Sequence, residues 1–303
     1  MNNTSDKKIS GMIVPIITPL DNRQQVDEQA LANLCELHIR SGTNVIFALG
    51  TTGEFYGITH EQRKQVVGVI VSSVAGRIPV IVGISGDSTA SAIVNYNTCR
   101  QDGVSGYVAS TPYFLSYSQD ELLDHFRKLA DRIGGPLILY NYPGRYRHRI
   151  DIPTVATLAQ EGLVSSIKDT AGDFEYLKEL LVLKRQFPKL GVFESALNNL
   201  AKAAPLGVDG SVQADSNLFP VEFAAVWSAI SARDYPRVTA ATTRLWDFHV
   251  AMEKVAIYIA SLKACMAIRG WCSPQPTAPT RAVSAAQHQQ LEGLLSTFSA
   301  SRT

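Results

Sequence analysis

Lys168 closes a short apolar run, Leu163-Val164-Ser165-Ser166-Ile167-Lys168-Asp169, with the length and composition of a buried strand. An ammonium at such a strand end is cut off from bulk water, and lost solvation lowers its pKa. A lysine with a lowered pKa is an amine nucleophile able to form a Schiff base with a carbonyl substrate. A strand-end lysine that snorkels to the surface fits the same pattern, so the other reactive residues decide between the two. Gly50-Thr51-Thr52-Gly53-Glu54 sets two hydroxyls between glycines that let backbone approach a ligand. Its N–H groups and hydroxyls suit a carboxylate, although an ordinary tight turn has the same composition. Tyr140 ends Leu137-Ile138-Leu139 and can offer a phenol for proton exchange near Lys168, or sit in the core with its hydroxyl satisfied. Arg145 opens a basic run through Arg149, which reads as a solvated loop or as the source of one arginine for a substrate carboxylate. Trp227, Trp246 and Tyr258 stand at helical spacing among alanines and valines and read as packing residues.

A lysine amine, a phenol and a hydroxyl-lined anion turn together suggest one reaction class. The lysine condenses with the ketone of a 2-oxo acid, and the protonated imine withdraws electrons from the adjacent carbon. The phenol removes a proton there, leaving an enamine that attacks an aldehyde; in reverse, a carbon–carbon bond is cleaved. The covalent imine does electronic work that a metal otherwise does. The histidines show no H-x-x-H or H-E-x-x-H spacing, and the expectation is an enzyme with no metal or other cofactor.

The elements that must position these groups alternate along most of the chain. Strand-like runs fall at residues 12–17, 44–49, 79–84, 106–109, 137–140, 163–168, 190–193 and 210–212. Thr59 with Gln62, and Ser118 with Glu121, resemble capping boxes that start helices; the second helix stops at Gly134-Gly135. Asp173 starts another, with Leu177, Leu180 and Leu181 on one face. Eight strands alternating with helices predict an α/β fold, a closed parallel (β/α)8 barrel. An open doubly wound sheet is the alternative, but no G-x-G-x-x-G turn follows the first strand. Residues 1–219 are assigned to the barrel with its catalytic site. Residues 220–303 are assigned to a C-terminal helical extension packed on it, interrupted by a proline-rich loop at 273–280.

Composition bounds the partners. The chain has 303 residues and a net charge of +1, too weak a field to suggest nucleic acid or an anionic membrane. No apolar run reaches spanning length, and the polar start at residues 1–10 lacks the apolar centre of a signal peptide. The four cysteines are scattered, without C-x-x-C, so reduced thiols in a cytoplasmic protein are expected.

The chain resembles the dihydrodipicolinate synthase / N-acetylneuraminate lyase family of class I pyruvate-dependent aldolases. The resemblance rests on Pro15-Ile16-Ile17-Thr18-Pro19, Gly50-Thr51-Thr52-Gly53-Glu54, Thr111-Pro112-Tyr113, Tyr140-Asn141-x-Pro143 and Ile167-Lys168-Asp169, in the family's order and spacing. It implies a TIM barrel and a homotetramer built as a dimer of dimers, with the loop at Tyr113-Phe114 near the dimer contact. It implies Lys168 as the Schiff-base lysine, Tyr140 as the proton-shuttling phenol, and Thr51 and Thr52 as the grip on pyruvate carboxylate. A backbone carbonyl near Val212 would line the same pocket. The candidate catalytic set is thus Lys168, Tyr140 and Thr51; the candidate substrate contacts are Thr52, Gly53, Tyr113, Arg145 and Val212.

Three departures bear on which member this is. Phe114 stands where the synthases carry a second relay tyrosine, so water or another group must pass that proton. Tyr146-Arg147 replaces the Thr-Gly pair that follows the arginine. Glu194-Ser195-Ala196-Leu197-Asn198 replaces a Gly-x-Asp type stretch that binds hydroxyls in sugar-acid lyases. Phe55 and Tyr56 add aromatic bulk where a second substrate enters, and Arg63 and Ser91 replace the histidine and glutamate of a lysine feedback site, so lysine inhibition is not expected. The expected partners are pyruvate and an aldehyde or 2-oxo acid, with a 2-keto-3-deoxy sugar acid as the bond-making or bond-cleaving substrate. The alternatives are 4-hydroxy-tetrahydrodipicolinate synthase using aspartate semialdehyde, favoured by Arg145, a dehydratase acting through the same imine, and a non-catalytic 2-oxo acid sensor.

Overall fold

The protein, seen in a computed structural model, is described over residues 9–300; residues 1–8 of the polar N-terminal stretch read above lie outside the described residues. Runs of branched and aliphatic residues, apolar on both faces, suit strands covered on both sides, and such strands pair in parallel. They are β1 (Gly11–Pro15), β2 (Val45–Ala48), β3 (Val80–Gly83), β4 (Gly106–Ser110), β5 (Leu137–Asn141), β6 (Val164–Asp169), β7 (Gly191–Glu194) and β8 (Gly210–Val212). Each strand pairs in parallel with its neighbour, and β8 closes on β1, giving a closed eight-stranded TIM barrel. Each falls within two residues of its sequence-based bounds.

Helices α1 (Glu28–Arg40), α2 (His60–Val74), α3 (Thr89–Cys99) and α4 (Gln119–Ile133) follow the first four strands. The short α5 (Pro143–Tyr146), then α6 (Ile152–Gln160), α7 (Phe174–Gln186), α8 (Leu197–Ala203) and α9 (Pro220–Ser231) complete the alternation. Beyond lie α10 (Tyr235–Glu253), α11 (Tyr258–Ile268) and α12 (Ala285–Ala300). Both expected capping boxes form, on α2 and α4, and Gly134 ends α4 in the left-handed conformation, φ +71°. Asp173 caps α7, accepting from the N–H groups of Glu175 and Tyr176. Helix α9 sits against β1 and supplies Phe223 and Val226 to the barrel core. It therefore takes the place of the eighth barrel helix.

One junction is shaped by close backbone approach. Leu49, directly after β2, has φ +54°, and Glu54 has φ +55°, so the turn carrying both threonines is bracketed by two left-handed non-glycine residues. Such residues cost about 1–3 kcal/mol each and persist where surrounding contacts over-determine them. Gly83 on β3 makes the first possible, because a Cβ there would stand 2.1 Å from the Leu49 carbonyl oxygen.

Candidate active site

In this fold, side chains at the carboxyl ends of the strands converge on one mouth. That mouth here is a cavity of about 550 Å³. Lys168 reaches it from β6, and Tyr140, its register partner on β5, lies alongside. The Lys168 Nζ is 3.5 Å from the centroid of the Tyr140 ring and donates to Thr170 Oγ1 at 2.8 Å. Lys168 is only 5% exposed. Burial holds its ammonium well below the ordinary lysine range, while the charges of Asp169 and Glu194 work in the opposite direction. Burial thus favours the neutral, nucleophilic form of the amine, and the π face of Tyr140 favours the cationic one.

Burial pushes the Tyr140 phenol up to about 12, with the Thr51 hydrogen bond opposing. Tyr140 is thus a proton donor at neutral pH, and it becomes a base only after giving a proton away. Thr51 Oγ1 lies 3.3 Å from Tyr140 Oη and 2.8 Å from Tyr146 Oη. Three hydroxyls, Tyr140–Thr51–Tyr146, therefore form a continuous chain within one polypeptide. Tyr146 was read from sequence as part of a basic run; its ring is instead 5% exposed and packs edge-on to Tyr140. Pro143 at the first position of α5, where proline starts helices readily, signals the helix but not the face that Tyr146 occupies.

The remaining candidates separate. Thr52, Tyr113, Arg145 and Val212 line the cavity. The Arg145 guanidinium interacts with the Tyr142 phenol, which raises its pKa. The Val212 carbonyl accepts a hydrogen bond from Ser195 Oγ at 2.6 Å. Gly53 does not line the cavity; its carbonyl accepts from Thr18 Oγ1 at 2.8 Å, and a Cβ would stand 3.0 Å from the Ile16 carbonyl oxygen. Its role is to let the turn pack against the end of β1. Phe114 is 73% exposed.

The far wall comes from residues that sequence reasoning treated as packing or passed over. Trp246 and Tyr258 face the cavity, together with Asp215, His249 and Glu253. Trp227, Trp246 and Tyr258 all pack against the core, and the latter two also border the cavity. Among the described residues no group of three His, Cys, Asp or Glu is arranged to hold a metal ion. No helix among them is long and apolar enough to cross a membrane.

Comparison with known proteins matches the same features. Residues 8–298 fit the model of the dihydrodipicolinate synthetase family. The chain is 30% identical to 4-hydroxy-tetrahydrodipicolinate synthase of Trichlorobacter lovleyi over 294 residues, 95% of this chain and 98% of that one. It superposes on the chloride-inhibited dihydrodipicolinate synthase of Acinetobacter baumannii, solved with pyruvate, with a TM-score of 0.89 at 27% identity, over 96% of this chain and 99% of that one. It is likewise similar to YagE, a prophage protein of E. coli K12 solved with pyruvate, with a TM-score of 0.91 at 25% identity, covering 97% and 99%.

Proposed function

The chain belongs to the dihydrodipicolinate synthetase family and is a lyase of the class I, pyruvate-dependent aldolase type; we propose that Lys168 forms the imine and that the bond made or cleaved belongs to a 2-keto-3-deoxy sugar acid. The observation that carries this reading is the buried Lys168 amine over the Tyr140 ring, at the head of the Tyr140–Thr51–Tyr146 hydroxyl chain.

The neutral amine attacks the C2 carbonyl of pyruvate and forms a carbinolamine. Tyr140 gives its proton to the departing hydroxyl, which leaves as water, and the imine remains. The Tyr140 phenolate then takes a proton from C3, giving the enamine. Enamine C3 attacks the aldehyde carbon as Tyr140 protonates the aldehyde oxygen, and hydrolysis of the imine returns amine and phenol. Thr51 and Tyr146 spread the charge of the transient phenolate through their hydrogen bonds. Because the Thr51 hydroxyl is occupied by two phenols, the pyruvate carboxylate falls to Thr52 and to the N–H groups of the turn.

Treatment with borohydride in the presence of pyruvate tests the reading: a stable adduct on Lys168 is expected, and its absence overturns it. A synthase reaction with aspartate semialdehyde is the second reading, supported by Arg145 at the cavity wall. Coupled turnover of pyruvate with aspartate semialdehyde decides it, and background rates remove it. A homotetrameric assembly is proposed on the exposed apolar pair Phe114 and Leu115 beside Tyr113, and light scattering of the purified protein checks it. Reduced, unpaired thiols at all four cysteines support a cytoplasmic location, which fractionation of cells tests.

A further inference from the structure

Asp215 is 4% exposed and fully engaged: Tyr258 Oη donates to Oδ1 at 2.7 Å and His249 Nδ1 to Oδ2 at 2.8 Å. Trp246 stacks on the imidazole, with centroids 5.1 Å apart and planes 17° from parallel. The ring is thereby fixed in orientation with Nδ1–H committed to Asp215, so Nε2 donates when the ring is the imidazolium. The second nitrogen, Nε2, is 3.6 Å from Glu253 Oε1. Although burial works against charging His249, the hydrogen bond and charge of Asp215 and the charge of Glu253 together raise its pKa. A buried carboxylate, a histidine locked to it and an aromatic plate are costly to assemble on a cavity wall unless something is bound there.

From this arrangement we infer that His249 determines specificity, donating from Nε2 to a hydroxyl of the aldehyde half of the substrate while Glu253 accepts that hydroxyl's proton. The inference rests on the imine reading above and narrows its substrate class to open-chain hydroxylated aldehydes. A donor and an acceptor side by side match a hydroxyl, which needs one of each. A second carboxylate fits this wall poorly, because Glu253 would repel it. The aromatic faces of Trp246 and Tyr258 suit the C–H surface of a polyol. Arg145, on α5, is the cavity's cation for a carboxylated aldehyde and makes the contrasting arm of the test.

The test uses the full chain, pyruvate and two aldehydes of equal length, glyceraldehyde and propionaldehyde, with bond formation followed by product analysis. The unaltered protein is expected to favour glyceraldehyde in kcat/KM. H249F should lower that ratio roughly ten- to hundredfold, the loss of one hydrogen bond to a charged donor, and mainly through the glyceraldehyde KM. H249Q keeps an N–H donor and should retain most of the ratio. D215N, which loosens the ring, should lower it by an intermediate factor and serves if H249F does not fold. Borohydride trapping of pyruvate on each protein separates the two ways of failing. No adduct in the unaltered chain removes the imine reading itself. An adduct together with a ratio unmoved in H249F, or in D215N if H249F is unfolded, removes only the role of His249. Equal use of the two aldehydes by the unaltered protein removes it too, as does a dominant preference for succinic semialdehyde that R145A abolishes and H249F leaves intact.

Discussion

Glu54 and Lys263 form an ion pair in which neither side chain is exposed to solvent. Glu54 ends the turn that carries Thr51 and Thr52, and Lys263 belongs to α11, outside the barrel alternation. The other Glu54 oxygen accepts from the N–H of Thr277 at 2.6 Å and from its Oγ1 at 3.0 Å, and Lys263 Nζ donates to the Gln275 carbonyl at 2.9 Å. The proline-rich loop thus clamps the turn in its left-handed geometry. The turn carrying Thr51 and Thr52 and the C-terminal helices are held as one piece.

Removing one partner leaves an uncompensated buried charge, a loss of about 3–5 kcal/mol. K263M should therefore lower the urea midpoint strongly and raise the pyruvate KM, since the turn loses its anchor. The double variant E54Q/K263M should be less destabilised than the sum of the single ones. Equal midpoints for K263M and the unaltered protein would contradict the clamp.

Only the neutral amine of Lys168 attacks a carbonyl. Burial favours that form, so the rate of reductive pyruvate trapping should rise with pH and level off well below 10.5, the ordinary lysine value. K168A should trap nothing. A trapping profile that climbs all the way to pH 10.5 would show an amine in contact with water.

Tyr146 is hydrogen-bonded to Thr51, which in turn reaches Tyr140, so the proposed mechanism has it steady the Tyr140 phenolate by way of Thr51. Y146F should lower kcat by about 10²-fold, the lower range for loss of an acid–base partner. The pyruvate KM should stay within a few-fold, because the carboxylate contacts are elsewhere. A drop confined to KM would move Tyr146 from proton transfer to binding.

Glu194 is 1% exposed and meets Asp169 across the β6–β7 register. Burial pushes its carboxyl up to about 8 from 4.5. The folded state therefore holds this proton more tightly than the unfolded chain. Its contribution to stability is fully present below pH 4.5 and is lost as pH rises through about 8. E194Q, neutral throughout, should flatten the decline in urea midpoint between pH 5 and 8.5 that the unaltered protein shows. Parallel declines in both proteins would assign the effect to other groups, Asp169 first.

Much of the barrel was legible because its strands are continuous apolar runs bounded by turn residues and helices α2 and α4 begin with capping boxes. Lys168 and Tyr140 could be placed for a related reason: both lie on strands, where pairing register sets them side by side, whereas Thr51 lies in the turn after β2. Tyr146 was not, since a four-residue helix does not reveal which of its faces turns inward. Asp215, His249 and Tyr258 meet across 34 and 43 residues of sequence, and Glu54 meets Thr277 across 223. Such contacts arise from how whole helices dock, and local pattern does not encode docking. The alanine and valine neighbours that marked Trp246 and Tyr258 as packing residues describe the helices correctly but not the face those two rings present.

Helices α10 and α11 carry one wall of the cavity, while Lys168, Tyr140 and Thr51 sit on the barrel itself. Natural variation on those two helices can therefore exchange one aldehyde for another without touching the nucleophile.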